Sequence, residues 1–318
     1  MLIKNEKGVA LVLALAVIAL LVSLVVDFSY TMMVDLTLAA NLRDAQKAFY
    51  DARSGIELAR HLLQEDDPAY DALDEDWALL PEHPGFLSED DEGRFKVTIE
   101  DEAAKIPINE LIVGDKVDLM RRSQLERLFE VLELDSELID PIIDWLDPDN
   151  NPGPFGAEDP YYETLPSPYP CKNGPLSALE ELLLVKGMTE EILYGQDEKK
   201  GLIHYLSVYS EDKVNINTAT AEVLQSLSDA IDKNLAQAII DYRQEAPFKD
   251  KIKYDDIKSL PGMTLEIFNE LNDQCDIKSS IFSLHVQGQV REIKTVIYTV
   301  LKRDDKEKKV KPIFWRVE

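Results

Sequence analysis

The sequence is short of the residues from which most catalytic and cofactor sites are built. Its only cysteines, Cys171 and Cys275, are too few for a thiolate zinc site. The four histidines, His61, His83, His204 and His285, are scattered and form no metalloprotease pair. There is no nucleophile elbow around a serine, and neither phosphate-binding glycine signature is present. Positive charge is also scarce, with 34 basic residues against 61 acidic ones and a net charge of −27. That balance argues against nucleic acid and suits an exported head that can hold cations. Acidic pairs are too numerous to single out a general acid. The composition points to a structural protein and not to an enzyme or a binder of small-molecule substrates.

What the chain has instead is a long apolar start. Ser23 is the one polar residue among the eighteen from Val9 to Val26, a run long enough to cross a bilayer core as a helix. Lys4 and Lys7 precede it and favour the cytoplasmic side. After Asp27 the run continues without a helix breaker. Ala45, Phe49, Ala52, Ile56, Ala59 and Leu63 recur at three- and four-residue steps, and no proline intervenes before Pro68. One helix of about fifty residues is expected, apolar first and amphipathic after Asp27. A plain membrane anchor fits this pattern, whereas a cleaved secretory signal does not, because the pattern runs through the expected cleavage region. Lys4-Asn5-Glu6-Lys7-Gly8 followed by Val9-Ala10-Leu11-Val12-Leu13 resembles a type IV pilin-like leader.

At 318 residues the chain can bury more than one core. Between Glu65 and Glu92 there are twelve acidic residues and no Lys or Arg, which reads as an exposed, solvated loop. Phe95, Val97 and Ile99 alternate with polar residues, as do Phe282, Leu284 and Val286, and later Val296, Tyr298 and Val300. Ile106 and Ile108 read as a second early strand, Leu206–Tyr209 as a short one, and Phe314 and Val317 as the closing one. Helical patterns fill most of the remainder, at 117–138, 141–146, 176–185, 189–194, 219–227, 233–243 and 255–271. The expected class is α+β, a long N-terminal helix on a small antiparallel sheet, with a large all-α domain inserted between strands. The α+β part is assigned to 65–116, 205–212 and 280–318, and the insert to 117–204 and 213–279.

The insert contains a weak repeat. Leu184-Val185-Lys186-Gly187-Met188-Thr189 resembles Ser259-Leu260-Pro261-Gly262-Met263-Thr264, each with a turn glycine and a threonine placed to cap the next helix. Val214-Asn215-Ile216-Asn217-Thr218-Ala219 opens another helix, with Thr218 as its expected cap. These look like helix-hairpin-helix units, which commonly grip DNA phosphates. From Val214 to Cys275, however, there are eleven acidic and six basic residues, a surface that would repel a phosphate backbone. Packing is the expected role.

One stretch carries visible site chemistry. Asp144, Asp147, Asp149, Asn151, Glu158 and Asp159 crowd six hard oxygen donors into sixteen residues, and glycines and prolines fold the loop between them. Calcium takes six to eight such oxygens at flexible geometry. Counted from Asp147, Glu158 falls at the twelfth position of an EF-hand-like loop, but Pro152 stands where that loop needs glycine. An acidic turn closed by side-chain-to-backbone bonds is the competing reading. Cys171 and Cys275 are either one disulfide or two buried thiols. A head placed outside the cytoplasm favours the bridge.

The leader, Asp144-Trp145-Leu146-Asp147, Gly156-Ala157-Glu158-Asp159 with Tyr161-Tyr162, the Glu181–Met188 segment and Val214–Ala219 together resemble the minor pseudopilin K family of type II secretion systems. The resemblance covers nearly the whole chain. It implies a pseudopilin fold with a helical insert and calcium in the helical domain. It further implies cleavage after Gly8 by a prepilin peptidase, methylation of Val9 at the mature N-terminus and residence in the inner membrane with the head in the periplasm. Expected partners are minor pseudopilins I and J, with H. Most pilins carry Glu at the fifth mature position; here it is Leu13, as in the K subunits. Residues 1–8 are then the leader, 9–26 the membrane part of the helix and 27–64 its periplasmic part. A minor pilin of a type IV pilus or competence system would share the leader, and a membrane-anchored helix-hairpin-helix DNA receptor would share the repeat.

Overall fold

The computed structural model of the protein describes residues 6–80, 94–210, 212–304 and 309–318. Its first helix, α1 (Glu6–Glu65), runs unbroken for 60 residues, or about 90 Å at 1.5 Å per residue. From Gly8 to Arg43 its side chains are exposed except for half-buried Ala40. This part includes a window of mean hydropathy 3.3, long and apolar enough to cross a membrane, with none of it buried in the head. From Asp44 onward the helix becomes one wall of a core. Ala48, Ala52, Ile56, Ala59 and Leu63 are buried at steps of four, four, three and four residues. The expected stripe is present, with Ala45 and Phe49 only half-buried at its edge.

Small residues let this helix lie directly on a sheet. A Cβ on Gly55 would come within 2.9 Å of side-chain atoms of Phe95, Val97 and Val286, and one on Gly288 would stand 1.9 Å from the Ala48 carbonyl oxygen. The sheet comprises β1 (Arg94–Asp101), β2 (Ile281–Val290), β3 (Ile293–Asp304) and β4 (Lys309–Val317), hydrogen-bonded in that order and antiparallel throughout. Val97, Ile99, Phe282, Leu284, Val286, Ile297 and Leu301 face α1, and Trp77 joins the same core. Val97 pairs with Val286, so the strands flanking the insert are neighbours in the sheet although the whole insert separates them in sequence.

The insert has its own, larger core running from Ile106 to Ile277. It is built on α2 (Leu119–Val131), α3 (Ile139–Leu146), α4 (Lys233–Glu245) and α5 (Leu265–Gln274). Asp118, Asp232 and Thr264 cap the first, third and fourth of these by accepting N–H groups of Arg121, Leu235 and Ile267. Thr189 does the same for the short helix Glu190–Tyr194, and Gly187 and Gly262 both have positive φ, so the two repeat segments share one geometry.

Three expectations are corrected. Ile106 and Leu206 do not extend the sheet: Ile106–Pro107 pairs in parallel with Leu206–Ser207, and both segments belong to the insert core. The insert therefore starts directly after β1, and the stretches 105–116 and 205–210 belong with it. Short apolar alternations such as Ile106-x-Ile108 fit a buried 3₁₀ turn as well as a strand. Nor is the insert all helix, since two-residue ladders also tie 112–113 to 116–117, 195–196 to 199–200 and 214–215 to 275–276. Thirdly, the cap of the helix Ala221–Ser226 is Thr220, while Thr218 donates its hydroxyl to Asp101.

Candidate metal centre

The acidic loop leaves the C-terminal end of α3, all of whose residues are buried. Asp140 and Asp144 lie one turn apart on that helix and fold the loop from within. Both oxygens of Asp144 accept the Gly153 N–H at 3.1 Å, and Asp140 accepts Phe155 N–H at 3.3 Å and Arg122 Nη2 at 3.1 Å. A Cβ on Gly156 would stand 1.7 Å from Asp144 Oδ2, so the backbone can close on this carboxylate only through glycine. From outside, Lys186 Nζ donates to the carbonyls of Phe155 at 2.9 Å and Gly156 at 3.0 Å and stands over the Tyr161 ring. The rings of Trp145, Tyr162 and Tyr169, from the end of α3 and the segments that follow the loop, pack on one another.

Within the loop the six expected donors divide. Asp147, Asp149 and Glu158 bring one carboxylate oxygen each within 4.8 Å of one another. Asp147 and Asp149 also accept N–H groups two residues on, at 3.1 and 2.7 Å, so the side-chain-to-backbone turns and the cluster coexist. Asn151 spends its amide on Asp149. Asp159 accepts Cys171 N–H at 2.7 Å, and Asp144 is engaged with the loop backbone. Glu158 is 1% exposed and neither of its oxygens accepts a hydrogen bond. Burial, with the negative charges of Asp144, Asp147 and Asp149, pushes it up to about 7 against the lowering effect of the neighbouring Cys171 thiol, and burial likewise pushes Asp144 up to about 6. Among the described residues no basic side chain forms an ion pair with Asp147, Asp149 or Glu158. A buried carboxylate with no basic partner and no donor beyond the weak thiol of Cys171 is costly unless a cation meets it, so this donor set fits a hard divalent cation. Sequence reasoning missed Asn173, whose amide donates to the Asp149 carbonyl at 2.7 Å while its own oxygen has no partner. Its backbone adopts a positive φ of 48°.

A second carboxylate trio, Asp66, Asp71 and Glu75, meets the same distance criterion but is already neutralised. Arg303 pairs with Asp66 at 3.0 Å and Asp71 at 2.6 Å, while Glu75 accepts Ala72 N–H and Trp77 Nε1–H.

The expected disulfide does not form: Cys171 and Cys275 are separate, buried, free thiols. Cys171 lies beside the loop, donating to the Asp144 carbonyl at 3.6 Å, whereas Cys275 sits in the ladder against Val214. Burial pushes both up to about 12, which keeps them unreactive. At the other end of the protein, Gly8 and Val9 are exposed on α1, which passes through them without a break. Residues 1–5 of the expected leader lie outside the described residues.

Comparison with known proteins agrees with this architecture. Family models described as type II secretion system protein K match residues 104–195 and 214–278, which fall within the insert. The type II secretion system protein K of Pseudomonas aeruginosa is 30% identical over 78% of this chain and 75% of its own length. That of Aeromonas hydrophila is 27% identical over 96% of both chains. A crystal structure of the GspK-GspI-GspJ complex from enterotoxigenic Escherichia coli contains a chain of the same fold, with a TM-score of 0.69 at 20% identity over 88% of this chain and 99% of that one. With an exposed apolar helix, a four-stranded sheet and an inserted helical domain matched in this way, the chain belongs to the type II secretion system protein K family, the minor pseudopilins of that machinery.

Proposed function

We propose that this minor pseudopilin caps the tip of a short pseudopilus and helps to start its assembly, in company with minor pseudopilins I and J and with H. The observation that carries this reading is the asymmetry of the molecule. A bare apolar helix can pack among neighbouring stems, whereas the bulky insert, tied to the chain just past the end of α1, would obstruct a subunit stacked above. Leu13, in the exposed part of the helix, also offers no carboxylate to a neighbour's N-terminal amine. A single apolar anchor with a soluble head suits residence in the inner membrane with the head in the periplasm. Cleavage after Gly8 by a prepilin peptidase and methylation of Val9 complete the reading. Calcium held by Asp147, Asp149 and Glu158, with Asp144 and Asn173 alongside, would supply positive charge that closes the loop. The test is co-expression with the peptidase and with subunits I and J, followed by purification in detergent. Processing after Gly8, absent in Gly8→Ala, and co-elution of all three subunits are expected. A chain that stays full-length and elutes alone would reject the proposal.

A further inference from the structure

The insert joins the sheet through two crossings, out after Asp101 and back through residues 276–280, and both crossings end in one buried polar cluster. Asp101, the last residue of β1, accepts Ala103 N–H at 2.8 Å through one oxygen. Its other oxygen accepts Asn215 Nδ2 at 3.1 Å, Ser279 Oγ at 2.6 Å and the Thr218 hydroxyl. Asn215 and Thr218 belong to the insert, and Ser279 belongs to the returning chain. Asn215 Nδ2 also reaches the Asp71 carbonyl at 3.1 Å and Ser279 Oγ at 2.8 Å. Asp71, on the segment leaving α1, takes Ser279 N–H at 2.7 Å and both its oxygens accept Arg303 Nη2 of β3. The same guanidinium donates to the Ser279 carbonyl at 2.8 Å and to Asp66, just past the end of α1, at 3.0 Å. Asp71, Asp101, Asn215, Thr218, Ser279 and Arg303 are all buried. The cluster therefore touches the end of α1, two strands of the sheet, the insert and the return crossing at one place.

We propose that this cluster, centred on Asp101 and Asn215, is a weld that makes head and stem one rigid lever, so that the angle between the inserted domain and the membrane helix is fixed before any partner binds. The two domains keep separate apolar cores, and such cores open independently unless something couples them. Buried hydrogen bonds with fixed directions supply orientation that apolar contact alone does not.

The test uses the full-length chain in detergent micelles, by scanning calorimetry and by limited trypsin digestion below the transition. Lys105 and Lys278 mark the two crossings. Wild type is expected to melt in one transition and to resist cleavage at both lysines. Asp101→Ala is expected to split the melt into two transitions and to expose both crossings while each domain stays intact. Should Asp101→Ala not accumulate as folded protein, Thr218→Val keeps the side-chain shape and removes one donor. Loss of one hydrogen bond to a charged group is expected to speed cleavage at Lys105 and Lys278 about tenfold, with other sites unchanged. A single lowered transition for Asp101→Ala overturns the proposal. So does unchanged cleavage, or an equal rise at every site, in Thr218→Val.

Discussion

The protein contains two carboxylate trios of the same compactness and opposite construction. Asp66, Asp71 and Glu75 are assembled around Arg303 and the indole N–H of Trp77. Asp147, Asp149 and Glu158 are assembled by backbone turns, by Asp144 drawing the loop inward and by Lys186 holding its carbonyls. In the first the positive charge is covalently part of the chain; in the second the oxygens converge and Glu158 is left unpartnered. Proximity of acids alone therefore does not mark a cation site. What decides is whether a guanidinium or ammonium of the protein already occupies the focus.

Three experiments break or sharpen that contrast. The largest effect is expected from Arg303→Met, which leaves Asp66 and Asp71 without their guanidinium. A loss of about 3–5 kcal/mol, the usual cost of removing one partner of a buried ion pair, is expected in chemical denaturation whether or not calcium is present. Next is calcium removal. A ligand at 100 times its Kd stabilises by about 2.7 kcal/mol, so chelator is expected to lower the wild-type Tm by several degrees. The shift should vanish in Glu158→Gln and persist in Asp71→Asn; a shift that Glu158→Gln leaves intact would move the ion elsewhere. The smallest effect is on pH dependence. Burial outweighs Arg303 and pushes Asp71 up to about 7 from an ordinary 3.8. The folded chain then holds a proton that the unfolded chain releases, a contribution full below about 4 and lost as pH rises through about 7. In chelator, stability is expected to fall with rising pH by up to about 1.4 kcal/mol per unit from this group. Asp71→Asn should reduce the slope by this share, the raised Glu75, Glu158 and Asp144 carboxyls supplying the rest, and identical slopes would contradict the assignment.

How much of each trio was legible beforehand differs for a physical reason. Asp147, Asp149 and Glu158 lie within one loop, where alternate spacing and turn residues already bring side chains to one side. The division of labour in that loop was not legible. Asp144 looks like a ligand in sequence, and only the close approach of Gly153 and Gly156 shows it tying down backbone. Asn173 comes from beyond the next helix and carries no local pattern. The Arg303 trio was invisible, because Arg303 is 232 residues from Asp71 and nothing in a strand sequence says which distant acid its side chain will meet. Thr218 illustrates the same limit. A threonine before a helix is a sound cap on local grounds, yet the buried Asp101 claims its hydroxyl, and Thr220 caps instead.

The sequence by itself determined the elements governed by local period and composition. These are a long N-terminal helix with an exposed apolar part, expected at about fifty residues and found at 60, the alternation of β1, β2 and β3, the separation of the strands by a helical insert, and the acidic loop. Each depends on neighbours within a few residues, where side-chain periodicity and backbone preference act directly. Only the tertiary structure decided that Ile106 and Leu206 belong to the insert, that Cys171 and Cys275 lie apart as thiols, and that one acidic trio is closed by Arg303 while the other converges with no basic side chain paired to it among the described residues. Those outcomes depend on which distant groups share a buried volume. There a polar atom must find a partner or carry the cost of its desolvation, and that partner is chosen by the packing of the whole chain.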